Sequence, residues 1–410
     1  MSSFTDVRMR GFQDRAEVDA VVALIDGRVR ALPPEDVDLH AAAGRVLAAD
    51  VTAGVPVPAF DRAAMDGYAL RGGETFGAGP YNPLEFEVIG VSLPGRPFAG
   101  RVGPGQAVRI MTGAPVPDGA DAVLQAENAE EVGDRVRVSD AVPPGRHVGR
   151  RGEDVAAGAV VLRAGRVLRP QDVAVLASIG AALVSVVRRP RVAIIVTGDE
   201  LLPAGSKPHG YRIVDSNSVM LEALVRRDGG MPALLPPVPD TREAVRTALV
   251  GADADVLLVS GGSSVGQEDH APRVLAELGE LPVHGVALRP ASPAGVGFLK
   301  GRPAFLLPGN PVSCLCAYDL FAGRAVRRLG GRSPEMPYRS MLLPLARKIA
   351  SVVGRVDYVR VRVESGQVEP LATSGASILS STTRADGFVL VPRDSEGNAP
   401  GESVPVYMYD

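Results

Sequence analysis

Residues Asp255 to His270 constrain this chain more than any other stretch. They read Asp-Val-Leu-Leu-Val-Ser-Gly-Gly-Ser-Ser-Val-Gly-Gln-Glu-Asp-His. The apolar run from Val256 to Val259 is too short for a helix of ordinary length and reads as a buried strand. It breaks at once into Ser260, Gly261, Gly262, Ser263, Ser264 and Gly266. Glycines let a backbone take positive φ and bring bare N–H groups close to an anion, and hydroxyls add donors. The acidic pair that follows, Glu268 and Asp269, cannot serve an anion directly. A metal ion between the two fits that sequence of groups.

Two further segments repeat the pattern. Val192 to Val196 runs into Thr197-Gly198-Asp199-Glu200, and Ala304 to Leu307 runs into Pro308-Gly309-Asn310-Pro311-Val312-Ser313. In an open α/β sheet, ligands sit outside the carboxyl ends of parallel strands, so the three turns are expected to converge on one site.

The rest of the chain bounds what surrounds that site. Its 410 residues allow two to four domains. A net charge of −3 and a pI near 6.0 argue against a dedicated nucleic-acid surface. No run of about 18 apolar residues occurs and the first residues lack an apolar signal region, so no membrane association is expected. Cys314 and Cys316 stand one residue apart before helical sequence, poorly placed for a disulfide or a zinc site, which fits a reducing cytoplasm. Lysine occurs only at Lys207, Lys300 and Lys348, while arginine is abundant.

Taken in order, Ala16 to Arg30 has helical spacing after a cap at Asp14. From Val51 to about Gly149, short β-type runs (Phe86 to Ile89, Ala107 to Ile110, Ala122 to Leu124, Arg135 to Val138) lie between Gly and Pro turns. A helix is expected over Pro170 to Ile179, stopped by Gly180. From Arg188 strands alternate with helices: Ser218 to Arg227, one opened by a capping-box pattern at Asp240, and one from Ser313 to about Arg328. After Gly330-Gly331 the chain turns β again, with Met341 to Leu345, Tyr358 to Val363, Phe388 to Val391 and Val404 to Met408. The expected fold class is multidomain α/β plus β. It has a three-layer α/β domain with a largely parallel sheet at 188–330 and an inserted all-β domain at 51–148. A small C-terminal β-barrel domain occupies 331–410, and a discontinuous N-terminal helical linker domain spans 1–50 with 149–187.

Six stretches together resemble the molybdopterin molybdenumtransferases, to which the E domain of gephyrin is also similar. They are Pro58-Ala59-Phe60-Asp61-Arg62-Ala63-Ala64-Met65-Asp66-Gly67-Tyr68-Ala69, Arg109-Ile110-Met111-Thr112-Gly113-Ala114-Pro115-Val116-Pro117, Arg151-Gly152-Glu153-Asp154, Thr197-Gly198-Asp199-Glu200-Leu201, Ser260 to Gly266, and Leu307 to Ser313. The resemblance covers nearly the whole chain. It implies a cytoplasmic homodimer that takes adenylylated molybdopterin and molybdate as co-substrate, inserts the metal and releases AMP in a Mg²⁺-dependent step. It makes the linker domain the dimerisation domain and a molybdopterin adenylyltransferase a partner.

By the same resemblance Glu200 and Asp269 hold Mg²⁺, and Asp66, Thr112, Asp240 and Arg289 join them in catalysis. Gly198 and the three residues Asp215, Ser216 and Asn217 bind substrate, as do Ser260, Gly261, Gly262, Ser263, Ser264 and Gly266. The same holds for Pro308, Gly309, Asn310 and Pro311, and for Ser292 and Ser377. Local chemistry offers other roles to several of these. Asp269 and Asp240 could cap helices, and Ser216 or Asn217 could be an N-cap whose free N–H groups also hold phosphate. Asp66-Gly67 could be a plain turn. Arg150 and Arg151 suit either an anion or solvent, and Tyr68 and Tyr211 are expected to be packing residues.

One segment departs from the pattern. Where the family typically shows Lys-Pro-Gly-Lys-Pro, this chain reads Arg289-Pro290-Ala291-Ser292-Pro293. Arg289 keeps a charge in a different geometry, and Ser292 keeps only a hydroxyl. The departure raises a second hypothesis, a paralogue that binds molybdopterin as a scaffold without turnover. A third, a molybdopterin adenylyltransferase, would share the α/β domain but has no use for the Asp66 and Thr112 motifs.

Overall fold

The computed structural model describes residues 14–262, 269–372 and 375–409. Its chain divides into two compact units, one of residues 1–35, 44–46 and 186–410, the other of 36–43 and 47–185.

The first unit is built on a six-stranded sheet: β1 (Arg191–Val196), β2 (Met231–Leu234), β3 (Val256–Ser260), β4 (Glu280–His284), β5 (Gly295–Leu299) and β6 (Arg302–Leu307). Their spatial order is β2-β1-β3-β6-β5-β4. The β2, β1, β3 and β6 pairings are parallel, while β5 and β4 add antiparallel edges. The sheet is therefore mixed, with a parallel centre. Alternate residues of each central strand enter different cores. Val192, Ile194, Leu258 and Phe305 pack with Leu221, Val225, Val21 and Ile25, whereas Ala193, Ile195, Leu257 and Leu306 pack with Val245, Leu249, Val274 and Leu275. These partners belong to α1 (Val18–Arg28), α2 (Asn217–Arg227), α3 (Arg242–Gly251) and α4 (Ala271–Leu278). Both faces of the sheet are thus covered, which is why its strands read as unbroken apolar runs.

The last helical stretch is not the single α-helix expected from Ser313 to Arg328. It runs as α5 (Pro311–Ala317), a π turn (Tyr318–Ala322) and α6 (Gly323–Leu329). The wide turn carries the fully buried Asp319, which accepts from Arg227 at 2.9 Å and from the Tyr338 hydroxyl at 3.0 Å. Beyond it, strands Ser340–Pro344, Val356–Glu364, Gln367–Ala372, Gly387–Val391 and Ser403–Met408 form one sheet, and an isolated bridge joins Leu345 to Val368. The strand at Gln367–Ala372 is absent from the sequence expectation.

In the second unit a six-stranded sheet takes the order Ala122–Gln125, Gly67–Leu70, Gln106–Ile110, Leu84–Ser92, Arg135–Val138, Ala129–Val132. Gly67 opens an inner strand rather than completing a turn. A Cβ there would lie 1.8 Å from the Leu124 carbonyl oxygen, so glycine is required for the strands to meet.

Candidate functional site

A cavity of about 750 Å³ opens at the carboxyl ends of β1, β3 and β6. The backbones of the three ends knit together before any side chain is considered. Thr197 N–H donates to the Ser260 carbonyl at 2.9 Å and Gly261 N–H to the Leu307 carbonyl at 3.3 Å. Gly261 takes φ +92°, and a Cβ on it would stand 2.3 Å from the Thr197 carbonyl oxygen. Only glycine permits that approach. Across the cavity floor, Asn217 Nδ2 donates to Ser260 Oγ at 2.9 Å and to the Gly309 carbonyl at 2.8 Å. Asn217 is 6% exposed, and its Oδ1 has no partner. A buried acceptor left free beside a cavity is a place for a ligand's donor.

The wall is acidic. Glu200, Asp215, Asp240 and Asp269 line it, with no lysine or arginine among the described lining residues. Ser216 stands at the N-cap position of α2, as one of the two expected candidates, but its side chain makes no capping bond; Asp215 Oδ1 instead accepts from the Ser218 N–H at 3.1 Å. Asp240 does not cap α3 either. Thr241 does, accepting from Ala244 N–H, while Asp240 exchanges hydrogen bonds with Asp199. Asp269 lies one residue before His270, the N-cap position of α4. Among the described residues no group of three or more His, Cys, Asp or Glu side chains forms a complete metal cage. Two carboxylates with ligand oxygens are what a hard divalent cation such as Mg²⁺ requires, because it binds phosphate and protein together. Glu200 and Asp269 offer that donor set.

A second cavity of about 360 Å³ shares Pro293, Pro308 and Asn310 with the first. Its charge is opposite. Arg15, Arg289 and Arg355 line it with Ser292 and Ser313. Arg289 pairs with the buried Asp357, which also accepts from Arg355 Nε at 3.1 Å and Ser351 Oγ at 2.7 Å. Arg289 Nε and Ser292 Oγ are buried without partners. Ala291, 2% exposed, is held at φ +95°, a conformation that suits glycine. Arg289 and Ser292 therefore face this second cavity and not the acidic one.

Of the other expected residues, Ser216, Pro308, Gly309, Asn310, Pro311, Gly262 and Ser377 line the acidic cavity. Gly198 does not line it, but a Cβ on Gly198 would stand 2.8 Å from Glu200 Oε2, so the glycine makes room for that carboxylate. Ser263, Ser264 and Gly266 lie outside the described residues. Sequence reasoning missed Arg15 and Arg355, which no strand-end motif marks. It also missed Thr197, whose buried Oγ1 has no partner in the acidic wall.

In the second unit, Asp66 Oδ1 accepts from the Thr112 N–H at 2.7 Å and its hydroxyl at 2.8 Å. These two bonds, the N–H first, hold the Asp66 carboxyl below the usual carboxylate range. Arg150 is committed to Asp61 at 2.9 Å, and Asp61 also accepts from the Arg151 N–H. Tyr68 packs as expected, 7% exposed with its hydroxyl on Glu131. Tyr211 does not: it is fully exposed.

Comparison with known proteins agrees with this layout. The chain matches the MoeA N-terminal region (domain I and II) over residues 16–180, a probable molybdopterin binding domain over 193–328 and the MoeA C-terminal region (domain IV) over 343–409. It is 34% identical over 414 residues to molybdopterin molybdenumtransferase 2 of Mycobacterium tuberculosis, covering 97% of this chain and 99% of that protein. It is 32% identical over 382 residues to the molybdopterin molybdenumtransferase of Haemophilus influenzae, covering 91% and 93%. The crystal structure of a molybdopterin biosynthesis MoeA protein from Pyrococcus horikoshii superposes with a TM-score of 0.83 at 32% identity, covering 97% of this chain and all of that one.

Proposed function

The chain belongs to the MoeA family of molybdopterin molybdenumtransferases, and from that premise we propose that it inserts molybdate into adenylylated molybdopterin and releases AMP, in molybdenum cofactor biosynthesis. The observation that carries the reading is the pair of adjoining cavities of opposite charge. The phosphates and AMP portion of the substrate belong in the acidic one, with Mg²⁺ on Glu200 and Asp269. Held there by the two carboxylates, Mg²⁺ would offset the negative charge of substrate and wall and would stabilise the charge on a departing AMP phosphate. Asn217 and the Gly261, Gly262 and Gly309 backbones position the phosphates. Asp240 steadies the Thr197–Glu200 loop through Asp199. Molybdate belongs beside Arg289 and Ser292, whose buried, unpartnered donors an oxyanion would satisfy. Asp66 and Thr112 are assigned to the same reaction.

The proposal includes a cytoplasmic homodimer supplied by a molybdopterin adenylyltransferase, and a four-part division at 1–50 with 149–187, 51–148, 188–330 and 331–410. No helix among the described residues is long and apolar enough to cross a membrane. The test is AMP release from adenylylated molybdopterin with Mg²⁺, with and without molybdate. Molybdate-dependent release supports the transferase. Tight substrate binding without release, recovered by Ser292→Lys, would instead make this chain a binding paralogue, the outcome that Ala291 and Ser292 favour. ATP-dependent adenylylation of molybdopterin would displace both. Sedimentation as a monomer at micromolar concentration would remove the dimer.

A further inference from the structure

We propose that Arg15 raises the net positive charge of the arginine-lined cavity from about one to about two and so matches it to a tetrahedral dianion. The inference rests on the placement of molybdate given above and adds a residue to it. The backbone sets up the cluster. Ala16 bridges Val286, with Ala16 N–H on the Gly285 carbonyl at 3.0 Å and Ala287 N–H on the Ala16 carbonyl at 2.8 Å. Val286 N–H donates to the Ser292 carbonyl at 2.9 Å, and Arg289 is in register with Asp357. Main-chain pairing thus carries Arg15, Arg289 and Arg355 to one cavity from three distant parts of the sequence.

Their charges are not equivalent. Arg289 and Arg355 share one carboxylate, the buried Asp357, which cancels about one of their two charges. Arg15 has no ion pair with any described residue, and its charge is undiminished. A dianion entering the cavity meets two guanidiniums already engaged and one that is not. Ser292 contributes a neutral hydroxyl where the family pattern has a lysine, so the second net positive charge at this cavity comes from the N-terminal lead-in. The exposed setting of Arg15 predicts how its contribution behaves: it should be moderate and screened by salt.

The test is titration of molybdate into the full chain at low ionic strength, comparing the native protein with Arg15→Ala, Arg15→Lys and Arg15→Ala/Ser292→Lys. Arg15→Ala should weaken molybdate binding about tenfold, the low end for a charge-assisted hydrogen bond because the side chain is exposed. Raising the salt to about 0.5 M should shrink that difference, since the Debye length falls to only a few ångströms. Arg15→Lys and the double variant should each recover most of the loss, while AMP binding with Mg²⁺ stays unchanged. If the native protein binds molybdate and Arg15→Ala binds it equally well, Arg15 adds nothing to the attraction and the inference falls, although the cavity assignment stands. A weakening that ignores salt and that Ser292→Lys does not repair would also overturn the inference, by showing a structural role. Failure of the native chain to bind molybdate would overturn the cavity assignment and this inference with it.

Discussion

Asn217 offers the sharpest separation of two roles in one side chain. Its Nδ2 ties the end of β3 to the loop after β6, through Ser260 Oγ at 2.9 Å and the Gly309 carbonyl at 2.8 Å. Its Oδ1 is buried without a partner in a residue that lines the cavity. Asn217→Ala removes both functions. Two net hydrogen bonds of about 1 kcal/mol each are lost, and the buried Ser260 hydroxyl loses one of its partners while the exposed Gly309 carbonyl can turn to water, so a destabilisation of about 2–3 kcal/mol is expected. Asn217→Asp keeps the shape and the free acceptor but turns the donor into a carboxylate oxygen. That oxygen meets the Gly309 carbonyl head on and adds a charge beside Glu200, Asp215, Asp240 and Asp269. The Asn217→Asp variant should therefore be no milder than Asn217→Ala in a urea-unfolding midpoint at pH 7, and it should lower kcat/KM for AMP release by about a hundredfold. If the Asn217→Asp variant kept native stability and activity, the side chain would act only through its size and its acceptor, and the proposed tie between the two loops would be refuted.

Three other substitutions test different parts of the structure. Gly261→Ala places a Cβ 2.3 Å from the Thr197 carbonyl at φ +92°; a cost of about 2–4 kcal/mol and loss of AMP binding by calorimetry are expected. Glu200→Gln and Asp269→Asn should each raise the Mg²⁺ concentration for half-maximal AMP release at least tenfold, with little change in thermal midpoint; an unchanged Mg²⁺ requirement would remove both as ligands. Asp26 on α1 receives Arg324 of α6 at 2.7 and 2.8 Å, and that hydrogen bonding lowers its pKa. The resulting stability is present above the unfolded value near 3.9 and lost as pH falls through the lower folded value. Asp26→Asn should cost about 1 kcal/mol at pH 7, partly screened by exposure, and the gap from native should close as pH falls through the lowered folded value. A gap independent of pH would show that packing, not charge, sets the effect.

The central sheet and its three loops were legible in the sequence because burial on both faces makes a strand an apolar run and a functional turn makes its end a glycine. Where a local pattern has two physical meanings, sequence alone does not choose between them. Asp66-Gly67 has the composition of a turn, yet Gly67 is there for the Leu124 carbonyl, a contact that no local signal reveals. Asp240 precedes a capping residue and looks like one, but Thr241 holds the cap. The π turn at Tyr318–Ala322 was invisible because helical periodicity does not record one extra residue per turn. The arginine cavity was legible only at Arg289 and Ser292. Arg15 and Arg355 reach it through strand pairings of high sequence separation, and each looks like an ordinary surface arginine in isolation.

The wall between the two cavities gives the charge division its chemical use. Pro293 and Pro308 form part of it, with φ fixed and no N–H to offer either side. Asn310 is the polar residue that belongs to both. A phosphate in the acidic cavity is repelled by four carboxylates unless a cation accompanies it, and an oxyanion in the basic one leaves buried Arg289 and Ser292 donors satisfied without a cation. The two anions thus draw on separate sources of positive charge. They can be held side by side without competing for the same guanidinium, which is what the proposed exchange of one oxyanion for another at a shared substrate would require. Were Mg²⁺ replaced at the acidic cavity by a protein cation, the phosphate would remain anchored after its bond broke. On the proposed function, a dissociable ion held by Glu200 and Asp269 and shared with AMP would let the product leave with its charge already neutralised.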